Sequence, residues 1–113
     1  MLSMPDSNKL LGSRRRTEVL VLVALLGESY PSELARLLDA PLFSVQTIVD
    51  ALDREGILAT RLFGNTRRVS LDPRYFAQPE LEALLLRLAE AEPELRRAAA
   101  SRRSRPRRAG KAI

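Results

Sequence analysis

The sequence predicts a mainly α-helical single domain carrying one small β-hairpin. Apolar residues recur at spacings of three and four along several stretches, which is the signature of helices with one buried face. Two strand-like runs, "ILATRLF" and "RRVSLD", stand either side of a Gly-Asn pair of the kind that closes tight hairpins. The length, 113 residues, suits one hydrophobic core and does not comfortably allow two.

Residues 1–9 are polar, include Pro5 and are expected to be flexible. A first helix starts with Ser13 as N-cap, runs to about Leu26 and is ended by Gly27. Its Val19, Leu20, Val23 and Leu26 form one stripe, yet Val21, Leu22, Ala24 and Leu25 make the other face apolar too. A helix apolar all round is buried all round. The second face is covered either by another copy of the chain or by the C-terminal helix of the same chain.

Pro31 suits the first turn of a second helix, residues 31–38, with Leu34, Ala35 and Leu38 inward. After the turn "LDAP" a third helix runs from about 42 to 55 and stops at Gly56, which tolerates the left-handed conformation of a helix exit. With Gly64-Asn65 as a two-residue turn, Phe63 faces Thr66, Leu62 faces Arg67 and Arg61 faces Arg68. "QPELEALLLRLAEAE" is an amphipathic helix with Leu81, Leu84, Leu85, Leu88 and Ala91 on one side. Pro93 either ends it or starts a short continuation through Leu95 to Ala100. Residues 93–113 are otherwise an Arg-rich, largely disordered tail, since "SRRSRPRRAGKAI" offers nothing apolar to fold around. The folded domain is therefore expected over residues 10–92.

Charge is divided unevenly. From residue 96 onward there are eight Arg or Lys and no acid, which leaves 11 basic against 14 acidic groups in residues 1–95. A mildly acidic body carries a basic tail. The absence of Cys and His removes disulfides, thiolate or imidazole metal sites and His acid-base chemistry together. No nucleophile stands beside a base and no glycine loop is built to cradle phosphate, so no enzyme, catalytic residue, cofactor or metal is expected. The longest apolar run, Val19 to Leu26, is too short to span a bilayer, and the N-terminus lacks the order of a signal peptide. The chain reads as cytoplasmic and without a membrane partner.

Helix 31–38, a short turn and helix 42–55 make a helix-turn-helix, and the hairpin over 57–71 makes it winged. Over roughly residues 12–90 the sequence resembles the winged helix-turn-helix regulators of the ArsR and MarR type. The resemblance is carried by Ala35 at the helix crossing, the turn residue four positions on, inward Val45 and Ile48, the exit "LDREGIL" and the wing "RLFGNTRRVSLD". Asp39 departs from the family's usual Gly, but Asp is among the few residues that tolerate the left-handed region. ArsR-type thiolate sensing is excluded by the absence of Cys.

The resemblance implies a homodimeric regulator of transcription that binds double-stranded DNA, with helix 42–55 in the major groove and dimerisation-type helices at both ends. Leu42, Phe43, Gln46, Thr47 and Asp50 then face outward. Phe43, Gln46 and Thr47 are the candidate base contacts, Gln46 first because an amide donates and accepts at once and so matches adenine. Ser44, Arg61, Arg67, Arg68, Arg14 and Arg15 are the candidate phosphate contacts. The like-charged Arg61–Arg68 pair is easier to understand with an anion over it, and Arg14 and Arg15 fit the positive end of the helix dipole poorly. Val21, Leu22, Leu25, Leu81, Leu84, Leu85 and Leu88 are the expected dimer interface. Asp50 repels phosphate, and Leu42 with Phe43 suits a protein partner, so the alternative is an interaction or adaptor module whose basic tail binds nucleic acid non-specifically.

Overall fold

The computed structural model describes residues 11–104, and residues 1–9 and the end of the basic tail lie outside them. The described chain forms five helices and one antiparallel hairpin: α1 (Arg14–Leu26), α2 (Pro31–Leu38), α3 (Leu42–Arg54), β1 (Leu58–Phe63), β2 (Thr66–Leu71), α4 (Gln78–Ala89) and α5 (Pro93–Ser104). Among the described residues no helix is long and apolar enough to cross a membrane.

The central helix is α1. Ser13 caps it, its hydroxyl oxygen accepting the Arg16 N–H at 3.1 Å, and Gly27 at φ 82 ends it. Val19 to Ala24 and Leu26 are all buried. The face that sequence alone left open is covered from within, because α4 and α5 pack on α1 and bring Leu85, Leu88, Ala89, Leu95 and Ala99 into the same core. Val21, Leu22, Leu85 and Leu88 are therefore not a dimer seam; each is already spent inside one chain. Leu25, Leu81 and Leu84 are only partly buried against that core.

Two helix exits repeat one device. At the end of α2, Asp39 adopts φ 53, ψ 48; its N–H reaches the Arg36 carbonyl at 3.2 Å and the Ala40 N–H reaches that of Ala35 at 2.9 Å. This is a Schellman exit with Asp where Gly is usual. At the end of α3 the same pair of bonds runs from Gly56 to Asp53 and from Ile57 to Leu52, each 3.0 Å. The chain thus leaves α3 in a set direction, and Ile57 accepts the Asp72 N–H at 2.9 Å to close the base of the hairpin. Register follows the sequence expectation: Phe63 faces Thr66, Leu62 faces Arg67 and Arg61 faces Arg68. Gly64 at φ 61, followed by a residue without positive φ, matches a type II′ turn. Ser29 and Val69 exchange backbone hydrogen bonds of 2.9 and 2.8 Å, tying β2 to the α1–α2 turn.

The tail boundary at 93 needs correction. Pro93–Ser104 is a helix, because Leu95 and Ala99 find the core and Arg102 finds acceptors at the far side. The Arg102 guanidinium donates to the carbonyls of Leu26 and Glu28, both at 3.3 Å, and to the buried Glu33 carboxylate at 3.1 Å. Glu33 also accepts the Ser29 hydroxyl at 2.6 Å.

Arg16 links α1 to the end of α3 by donating to both Glu55 carboxylate oxygens, at 2.5 and 3.2 Å. That hydrogen-bonded guanidinium holds the Glu55 carboxyl below the ordinary glutamate value of 4.5. A carboxyl lowered on folding stabilises the fold above its unfolded pKa, and the contribution is lost as pH falls through the folded value. The thermal midpoint is expected to drop on acidification below pH 4.5, and less steeply in Glu55→Gln. Parallel pH profiles for the two proteins would show that this pair contributes nothing.

Candidate functional site

The helical period divides α3 cleanly. Val45, Val49 and Leu52 are buried, while Leu42, Phe43, Ser44, Gln46, Thr47 and Asp50 are exposed, Phe43 to 78%. The Thr47 hydroxyl donates back to the Phe43 carbonyl at 3.0 Å, so its proton is engaged and only its lone pairs face outward. Gln46 and Ser44 make no side-chain hydrogen bond to the described residues.

The hairpin lies beside this face. A shallow groove of about 260 Å³ runs between the start of α2, α3 and β2, with Gln46 and Leu42 on one bank and Asn65, Thr66 and Arg67 on the other. The banks are joined where Arg67 donates to the Asp50 carboxylate at 2.6 Å. Asp50 is thus not a lone repelling charge, and Arg67 is not a free cation; together they are a partly exposed neutral pair.

The opposite face of the hairpin carries Arg61, Phe63 and Arg68. Both guanidiniums stack on one ring, at 5.1 and 4.6 Å from its centroid, and Arg68 also donates to Glu28 at 2.9 Å. The predicted Arg61–Arg68 pairing is present, but an aromatic quadrupole and a carboxylate answer its repulsion from inside the chain. The pair alone therefore does not require an external anion. The same holds for the start of α1: Arg14 pairs with Glu18 at 3.2 Å and Glu92 at 3.6 Å, and Arg15 with Glu18 at 3.0 Å. Those carboxylates offset the unfavourable dipole end, which removes the reason for placing phosphate there.

No family model matches the chain, and neither does any curated protein or solved structure. What the site does must be read from its own residues.

The groove thus brings Gln46 and Leu42 beside the hairpin, Phe43, Ser44 and Thr47 stand exposed on α3 outside its lining, and Arg14 and Arg15 are left to structural ion pairs. Sequence reasoning missed Glu28, Glu33 and Arg102, which join the α1–α2 turn to α5. Nothing in the sequence marks a carboxylate whose partner lies 69 positions away. Among the described residues no group of three or more acidic, Cys or His side chains is placed to hold a metal ion.

Proposed function

We propose that this chain is a winged helix-turn-helix protein that binds double-stranded DNA, as a cytoplasmic transcriptional regulator, with α3 in the major groove and the hairpin as its wing on the adjacent backbone. The observation that carries this reading is the Gln46 amide, exposed on the outward face of α3 and without a hydrogen-bond partner among the described residues, beside a hairpin bearing three arginines. A helix that only fills a core has no use for such a group in that place; a helix that reads base edges does. Phe43 offers an apolar contact for a thymine methyl, and Thr47 keeps acceptor lone pairs for a base edge or a bridging water. Ser44, Arg61, Arg67 and Arg68 serve the phosphates. A homodimer in this reading pairs through Leu25, Leu81 and Leu84, the members of the expected interface that keep part of their surface.

The exposed apolar side chains of α3 and the hairpin favour a second reading. Phe43 is 78% exposed and Leu62 74% exposed, the surface expected of a protein-interaction module.

Fluorescence-anisotropy titration of selected and random duplexes against the whole chain separates the two. Selected duplexes are expected to bind more tightly, and Gln46→Ala to lose about 1–3 kcal/mol of discrimination at one base position per half-site. Equal binding of both duplex pools would sink sequence reading and leave the interaction module. An unchanged selection profile in Gln46→Ala would remove direct readout by that residue.

A further inference from the structure

We propose that the cleft between the α1–α2 turn, β2 and the end of α5 is a binding site for a phosphate group, gripped by Arg68 on one wall and Arg102 on the other. This goes beyond the DNA reading and does not depend on it. The cleft holds about 430 Å³, and its walls are Glu28, Ser29, Tyr30, Thr66, Arg68 and Arg102. Every one of these side chains is polar. An oxyanion meets two guanidiniums and the hydroxyls of Tyr30 and Thr66 there, while the Ser29 proton is already given to Glu33.

Both arginines are held in place before any ligand arrives. Arg102 is fixed by two carbonyls and the Glu33 carboxylate, and Arg68 by the Phe63 ring and Glu28. A guanidinium has five N–H donors, so neither is exhausted by these partners. Fixed side chains lose little freedom on binding, and that ordering cost is what commonly weakens an arginine site.

The two carboxylates of the cluster differ. Glu33 is buried and committed to Ser29 and Arg102. Glu28 has a side chain 43% exposed, and among the described residues its carboxylate holds only Arg68. Glu28 is therefore the group an incoming anion displaces, swinging into water as the ligand takes its place. A planar carboxylate presents two oxygens toward one wall; a tetrahedral phosphate presents oxygens toward both. That geometry favours a tetrahedral oxyanion such as phosphate over a carboxylate. The cleft shares Tyr30 and Thr66 with the groove beside α3, so the group has two sources: a free phosphate-bearing molecule, or a duplex backbone lying over the hairpin.

The test titrates the full chain with inorganic phosphate, against sodium chloride at matched ionic strength, and follows the backbone amides of Ser29, Tyr30 and Thr66 by NMR. A second arm titrates duplex DNA. Glu28→Gln removes the competing charge and is expected to tighten binding by about two- to five-fold. Glu90→Gln makes the same charge change on the exposed residue that caps the end of α4, outside the cleft, and should produce no gain. Adding Arg68→Gln to Glu28→Gln should abolish the gain while leaving the Arg102 contacts intact. Saturable phosphate shifts with this pattern identify a free anion as the ligand. The same pattern with the duplex alone identifies a backbone phosphate. If Glu28→Gln yields no specific gain with either probe, the proposal is overturned.

Discussion

Leu22→Asp is expected to unfold the chain and not to divide a dimer. Leu22 lies on the face of α1 that sequence left open to a second copy, yet it is fully buried in the single chain. Removing a core leucine costs about 2–5 kcal/mol, and an unpaired buried carboxylate costs several more. A domain of this size has only about 5–15 kcal/mol in total. Loss of the helical circular-dichroism signal at room temperature is the expected result. A folded, fully helical Leu22→Asp protein would mean that the face is open to solvent and would return α1 to the role of a seam. Leu81→Asp with Leu84→Asp is the contrasting pair: these residues are only partly buried, so the fold should survive and any dimer should dissociate, which light scattering reads directly.

A second large effect is expected at the hairpin. Replacing Arg61, Arg67 and Arg68 together by Ala should lower affinity for selected and random duplexes alike. If each makes one phosphate contact, the salt slope flattens by about 0.9 per contact, or about 2.7 for the three. The loss is deepened because Asp50 and Glu28 lose their guanidinium partners and present bare carboxylates to the backbone. Adding Asp50→Asn and Glu28→Gln to the triple variant should therefore recover part of the affinity but none of the slope. Base preference should persist, since Gln46 is untouched. An unchanged slope would take the hairpin out of the interface and favour the protein-interaction module.

Much of the local architecture was legible because its causes are local. Ser13 and Gly27 bound α1, Pro31 opens α2, Asp39 and Gly56 close α2 and α3, and Gly64-Asn65 dictates which hairpin residues oppose one another. The exposure of Gln46, Thr47 and Asp50 followed from the same period that buries Val45, Val49 and Leu52. The arginines were legible as charges but not as partners. Arg67 meets Asp50 and Arg68 meets Glu28 only because the hairpin folds back past α3 and the α1–α2 turn.

The sequence by itself determined where α1, α2 and α3 start and stop, the register of the hairpin and the outward face of α3, since caps, turn residues and periodicity act within a few positions. Only the tertiary structure decided that α4 and α5 of the same chain cover α1, that Pro93–Ser104 docks through Arg102, and that several arginines are already paired. Apolar surface is non-directional and a solvated arginine can donate to any nearby carboxylate. Which partner each finds is settled by packing across distant segments, and no local pattern records it.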